Sequence, residues 1–314
     1  MNVLLVGMNF HDYDDKIKKG FEDVGHKVFL VKDTKKSKSR FISDEQYKKQ
    51  NLNHQRKILT QIKDFEFNEV IVIVGRYLTE EFLLGLRNLN KNARFVLYLW
   101  DDVERIQNFN IVKKFYDTIF SFDSIDCEKY GFNFLPLFYL DDFCLRDSNN
   151  KSIDIYGSYW LHSDRINIIK KIAETQFCKN RYFYILTGRF YYFKYFFRLI
   201  CNKKYGIHYS IFSLPLDKNV KNMKRAFSVL DIQFPSQKGL TLRTIEALAS
   251  KCKIITTNLN IKNYDFYDEQ NVCIIDRKNP EIPESFFSSP YKELPREIYD
   301  KYSLSKWCDV IIQG

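Results

Sequence analysis

The stretch SVLDIQFPSQKGLTLRTIEALASKCKIITTN, residues 228–258, carries the pattern on which the fold turns. An apolar strand-like run leads into a polar loop, a short helix follows, and KIITTN resumes the strand character. Parallel strands need a crossover long enough to hold a helix, so this order is the unit of a parallel sheet. Leu242, Ile245, Leu248 and Ala249 recur at helical spacing toward a core, with Gly239 at the turn and Thr241 at the helix start. Arg243 and Glu246 stand at i and i+3 and share one face. That spacing alone would serve an exposed ion pair worth roughly 0.2–0.5 kcal/mol. The place in the chain asks more of the pair, because open α/β sheets bind ligands beyond the carboxyl ends of their strands. A helix start offers N–H groups and a positive dipole end to an anion. Arg243 suits that anion, and a carboxylate one turn further suits the vicinal hydroxyls of a ribose. Together this is the chemistry of a nucleotide diphosphate sugar.

Upstream, the same alternation fills the second half of the chain. IDIYG (153–157) precedes the helical DRINIIKKIAETQF, YFYILTG (182–188) follows, and a long aromatic helix near 190–202, a strand near 208–213 and a helix at 217–226 lead to the stretch above. Gly157, expected at a strand end, would let backbone approach a ligand, and Arg165 with His162 would add donors at the next helix start. The first half repeats the scheme with NVLLVG (2–7), HKVFLV (26–31), EVIVIVG (69–75), ARFVLYLW (93–100), DTIFSF (117–122) and NFLPLFY (133–139). Thr79 is the expected cap of the helix after the third run. Strands alternating with helices imply a parallel, doubly wound α/β sheet, here twice. The polar segment LDDFCLRDSNNKS (140–152) reads as a linker, giving one Rossmann-like domain over 1–145 and another over 146–314, facing a central cleft.

Composition narrows the function classes. A chain of 314 residues with 45% hydrophobic and 17% aromatic residues can bury two cores. Seven cysteines without a Cys-x-x-Cys pair read as reduced thiols, not as a zinc site. No signal peptide and no apolar run of ~20 residues is expected to take the chain out of the cytoplasm. After the first strand, GMNFHDYDD lacks G-x-G-x-x-G, which argues against a nicotinamide or flavin cofactor, and none is expected. The net charge of +10 accompanies a general abundance of Lys, Asn, Ile, Phe and Tyr, so no nucleic-acid partner is inferred from it.

Carboxylates after strands mark the first half. Asp101 and Asp102 follow the fourth run; Asp102 is expected to cap the next helix, and Asp101 to meet a ligand or take a proton. Asp123 and Asp126 repeat the pattern, and capping accounts for one of them. The aromatic and basic stretch GRFYYFKYFFRLICNKK (188–204) is either a core helix with snorkelling charges or a surface for peripheral contact with the inner face of the cytoplasmic membrane.

GLTLRTIEALASKCKIITTN resembles the donor-binding segment of GT-B glycosyltransferases. The Leu-Arg-Thr-x-Glu-Ala-x-Ala pattern, the DIYGS…DR start of the second half and YLWDD…FSFDSIDCEKYGFNFLPLFY are similar, in order and over nearly the whole chain, to a bacterial group that includes spore-maturation and lipopolysaccharide or capsule glycosyltransferases. The resemblance implies two tandem GT-B domains, acceptor side first and donor side second. It implies transfer of a sugar from a nucleotide diphosphate sugar to a glycan or lipid-linked glycan, such as lipopolysaccharide, O-antigen or capsule. Glu246 takes the ribose, Gly239, Thr241 and Arg243 the neighbourhood of the diphosphate, and Gly157 and Arg165 the second phosphate-facing loop. Asp101 falls where the first domain approaches the sugar, and no metal is required. One position departs from the pattern: Lys238 stands where the larger retaining family has the first carboxylate of its Glu-x7-Glu signature. A non-catalytic nucleotide- or glycan-binding protein on the same fold is the alternative.

Overall fold

Val3, Leu4, Leu5 and Val6 are fully buried, as are Val70 to Ile73 and Phe95 to Leu99 to within a percent. Continuous apolar runs of this kind suit parallel strands covered on both faces, where an alternating strand would put polar groups into a core. In the computed structural model, which describes residues 1–314 apart from 9, 11, 35–42, 107–108, 146–150, 175–178, 195 and 236, these runs form the middle of a six-stranded parallel sheet. Its strands are β1 (Asn2–Gly7), β2 (Lys27–Lys32), β3 (Glu69–Ile73), β4 (Arg94–Leu99), β5 (Thr118–Ser121) and β6 (Asn133–Phe134), in the order β2-β1-β3-β4-β5-β6. Thr79 caps the helix Glu80–Leu89 as expected, its hydroxyl accepting the Phe82 N–H at 3.2 Å. The expected strand at 133–139 stops after Phe134, two residues before Pro136, which has no N–H for the ladder.

A second parallel sheet follows, of β7 (Ile153–Trp160), β8 (Arg181–Leu186), β9 (Ile207–Ser210), β10 (Ala226–Asp231), β11 (Lys253–Thr256) and β12 (Val272–Ile274). Its order is β12-β11-β10-β7-β8-β9, so the direction of winding reverses between the neighbours β7 and β10. This is the strand order of the dinucleotide-binding folds, reached without their glycine fingerprint. Ile155, Ile168, Ile169, Phe183, Leu230 and Ile255 meet in its core. β12 has no counterpart in the predicted elements, three residues being too short to show a period.

The chain divides into two compact units, residues 1–137 with 304–314, and residues 138–303. Both limits differ from the expected division at 145/146. Residues 138–145 belong with the second unit, where the Leu145 N–H donates to the Ala249 carbonyl and the Ser250 hydroxyl to that of Phe143. The linker expected over 140–152 lies in part, at 146–150, outside the described residues. The C-terminal helix Leu304–Gln313 belongs with the first unit. Its Trp307 is buried edge-on to Tyr98, with ring centroids 4.8 Å apart, and 5.9 Å from Phe21. Arg94 takes the helix's last carbonyls, donating to Ile311 at 2.6 Å and Ile312 at 2.8 Å, while Glu69 balances its charge at 3.0 Å. A cationic side chain at carbonyls that have no intrahelical partner is a favourable end for a helix. Trp307→Ala should therefore lower stability by about 3–5 kcal/mol, as a cavity in a packed core does; urea denaturation of the full chain measures it.

Candidate functional site

The winding reversal puts the carboxyl ends of β7 and β10 side by side, and a crevice at such a point is where open α/β sheets take ligands. β10 ends on Asp231, a fully buried carboxylate. A charge in that position must be paired and hydrogen-bonded to be tolerated. The Thr241 and Thr244 hydroxyls both donate to its Oδ2, at 2.9 and 2.7 Å, and Arg243 Nη1 donates to Oδ1 at 3.0 Å. The first turn of the helix Leu242–Ala249 is thus fastened to the strand it follows. The other terminal nitrogen of Arg243 donates to the Ser158 carbonyl of β7, and the guanidinium lies 4.5 Å from the centre of the Tyr159 ring. Arg243 therefore ties both strand ends together. Two of its five N–H groups are engaged in doing so.

These contacts refine the roles expected of the opening motif. A carboxylate only accepts, so the Thr241 hydroxyl donates its hydrogen bond to Asp231 and can offer an anion nothing but its backbone N–H. Thr241 sits at the N-cap position with no side-chain cap bond, its oxygen being turned to Asp231 instead. Gly239 is held in place by its carbonyl, which accepts from Gln237 at 3.1 Å and from the buried Asn258 at 3.3 Å, while the Lys238 carbonyl accepts from Asn258 and Asn260. Lys238 itself is exposed. Glu246, one turn along the helix, is 4% exposed, so only an edge of it reaches solvent. Its charge and that of Arg243 act on the same Tyr156 phenol, which burial and Glu246 push upward and Arg243 pulls down.

Gly157 is not at a strand end. β7 continues to Trp160, and Gly157 lies within it, where a Cβ would stand 2.4 Å from the Tyr159 hydroxyl. The missing side chain makes room for Tyr159, whose hydroxyl donates to the Leu230 carbonyl of β10. The backbone that enters the site from this strand is that of Ser158 and Trp160. Arg165 opens the helix Arg165–Ala173 as expected and is buried, donating to the carbonyls of Ile232 at 2.7 Å and Trp160 at 3.2 Å, with Tyr159 5.1 Å away on its flat face. Burial first, and then Arg243 nearby, pull it down to about 10. His162 stacks flat on Phe234 at 3.6 Å.

A third arginine, absent from the expected set, completes the group. Arg277, just beyond β12, pairs with Asp164 at 2.6 Å and donates to Thr257 and the Gln233 carbonyl at 3.1 Å each. Arg165, Arg243 and Arg277 thus stand with Asp231 and Asp164, and Glu246 on the helix of Arg243 adds a third carboxylate. Carbonyl oxygens, not a carboxylate, receive Arg165. Asp231 and Arg277 follow β10 and β12 as plainly as Asp101 follows β4, but a single buried Asp or a loop Arg carries no local pattern that would single it out.

The first unit gathers acids at its strand ends. Asp101, after β4, pairs with Arg76, after β3, and stands 4.0 Å from Arg105. Burial raises its carboxyl, against the pull of both arginines. Arg76 is delivered by an unusual turn: Val74 and Gly75 have φ of 64° and 62°. A β-branched residue in the left-handed region costs on the order of 1–3 kcal/mol and is found where surrounding structure insists on it. Asp102 does not cap the next turn; Asp126 accepts the Val103 N–H at 2.9 Å, and burial raises Asp102 to about 6. Asp123 does cap its helix, accepting from the Ile125 N–H at 2.9 Å. Asp33, just beyond β2, is buried with Oδ1 unpartnered and is pushed up to about 7, by burial first and by Asp14 as well. A cavity of about 960 Å³ opens beside these groups, lined in part by Tyr47, Lys48, Asn51, Arg76 and Tyr77.

No family model and no curated protein matches this sequence. Solved structures do resemble it. A glycosyltransferase involved in avilamycin A biosynthesis aligns over 100% of this chain and 96% of its own with a TM-score of 0.64 at 10% identity. Anabaena HepE in complex with UDP gives 0.60 at 7% identity over 100% and 99% of the two chains, and the UDP-GlcNAc 2-epimerase from Neisseria meningitidis bound to UDP-GlcNAc gives 0.58 at 11% over 100% and 99%. The fold is that of two Rossmann-like domains of the GT-B type, shared with glycosyltransferases and UDP-GlcNAc 2-epimerases.

Two stability effects follow. Asp231→Ala strands Arg243 without its counter-charge, and should cost about 3 kcal/mol, at the low end for a broken buried pair because Arg243 keeps 19% side-chain exposure; chemical denaturation reads it. For Asp33 the native carboxyl holds its proton to about pH 7 while the unfolded one releases it near 3.8. Between those values the folded chain binds the extra proton, so stability falls with rising pH by up to about 1.4 kcal/mol per unit from this group. Asp33→Asn, neutral throughout, should match the wild type near pH 4 and exceed it above pH 7 in the same denaturation experiment.

Proposed function

We propose that the protein is a glycosyltransferase that moves a sugar from a nucleoside diphosphate sugar to a glycan acceptor, the second unit binding the donor and the first serving the acceptor. The observation that carries the reading is the arginine group at the β7/β10 reversal, in which Arg165 is received by carbonyl oxygens and not by a carboxylate. A bound diphosphate would give Arg165 the anionic partner that its two carbonyls do not supply. As the bond from sugar to diphosphate breaks, negative charge grows on the leaving oxygen. Arg243, Arg165 and the helix N–H groups, held in place by their bonds to the protein, would stabilise it. A metal ion is not needed for this step. Glu246 would accept hydrogen bonds from the ribose hydroxyls.

On the acceptor side, Asp101 is the group to take the proton from the attacking hydroxyl. Burial raises it toward the working pH, which favours a base, and the Arg76 ion pair keeps it charged and oriented. The cavity beside Arg76, with Tyr47 and Tyr77 in its wall, is of a size to hold a saccharide. We assign the acceptor to the cell-surface glycans, lipopolysaccharide, O-antigen or capsule. The similarity of the LRTIEALA and DIYGS segments to enzymes of that group supports the assignment.

Uridine, guanosine and cytidine diphosphates, each at millimolar concentration, test the donor site by thermal shift. One of them should raise stability, by about 2.7 kcal/mol at a hundred times its dissociation constant, and Glu246→Gln should remove most of the gain. If none moves the melting curve, the donor assignment fails. Where a diphosphate binds but no sugar is transferred, with or without a chelator, Lys238 in place of a carboxylate marks a nucleotide-binding protein instead of an enzyme.

A further inference from the structure

The aromatic stretch after β8 is helical over Arg189–Lys194 and Phe196–Cys201, with residue 195 between them outside the described residues, and Arg189–Lys194 buries no residue at all. Leu199 anchors the second, while Phe190, Phe193, Phe196, Phe197 and Ile200 stand in solvent, Phe193 and Phe197 at 69% and 83% exposure. Single exposed apolar side chains are ordinary, but a run of bare Phe rings and Ile at consecutive turns is a surface waiting for a partner. Two more lie at the same edge of the sheet. Trp160, Leu186 and Ser210 are level across β7, β8 and β9, so Trp160 and Phe212 flank these helices at the strands' carboxyl ends, and both are exposed.

The charge around this surface selects the partner. From Arg181 to Leu216 the chain has no Asp or Glu, and Arg189, Lys194, Lys203 and Lys204 are exposed among the rings. A second copy meeting this face by two-fold symmetry would bring like charges together. Nucleic acid would stack on the rings but has no use for Ile200. An anionic bilayer takes both components, the apolar groups at the acyl boundary and the cations among the headgroup phosphates. Among the described residues no helix is long and apolar enough to cross a membrane, so contact would be from one side.

We propose that this aromatic-basic surface of the second unit, the helices Arg189–Lys194 and Phe196–Cys201 flanked by Trp160 and Phe212, docks the protein on an anionic lipid membrane. The proposal is independent of the transferase reading: of this surface only the Trp160 backbone carbonyl reaches the proposed donor group, through Arg165. Co-sedimentation of the full chain with vesicles tests it. Vesicles of equal parts phosphatidylglycerol and phosphatidylcholine should pellet the protein, phosphatidylcholine alone should pellet far less, and added salt should release it. The exposed double variant Phe193→Glu/Phe197→Glu should bind at least ten-fold more weakly while keeping its melting temperature and any nucleotide shift. No binding to anionic vesicles, or binding equal in the variant, overturns the proposal. So does a self-associated species in sedimentation velocity, or tight binding of a single-stranded oligonucleotide, that the double variant abolishes while vesicle binding is absent.

Discussion

The second unit depends on how one buried carboxylate is satisfied. Asp231 ends a strand inside the protein, where an unpaired charge would be intolerable, and the chain answers with two threonine hydroxyls and an arginine from the next helix. Because the same arginine reaches the Ser158 carbonyl, the pairing also sets the spacing of β7 and β10 where the winding reverses. Tyr159 lies under two guanidinium groups, and Gly157 has no side chain so that Tyr159 can lie there. The site is therefore a consequence of satisfying Asp231.

The two units use the same sheet to different ends. In the second, three arginines are held by many bonds, to carbonyl oxygens and to Asp231 and Asp164. In the first, carboxyls crowd the strand ends, three of them raised by burial, and a strained turn at Val74 is needed to bring Arg76 against Asp101. Strain retained beside an ion pair marks a place where geometry is worth more than local stability.

Much of this was legible from residues alone, and the reasons for the rest are physical. The first unit's central strands are unbroken apolar runs bounded by turn signals, so β1, β3 and β4 could be placed within a residue or two. Arg165, Arg243 and Glu246 stand out because charges on an apolar helix at a strand's end have few structural uses. Asp231 and Arg277 escaped because pairing across ten or more than a hundred residues leaves no local trace. Gly157 was legible as a close approach but not as an approach by Tyr159, since a glycine says that something is near without saying what. Both ends of the second unit were misplaced for a like reason: Leu145 and Trp307 belong where their distant partners are.

The return of residues 304–314 to the first unit makes the second a continuous insertion within it. A chain made from its amino end therefore completes residues 138–303 before the sheet that began at Asn2 receives Trp307 and the Arg94 cap on Ile311 and Ile312. The unit that starts first is finished last, and closing it spans more than two hundred residues. Contacts so far apart along the chain form slowly and leave apolar surface uncovered in the interval. During synthesis the first sheet, complete in its strands, waits for its last helix with that apolar surface uncovered.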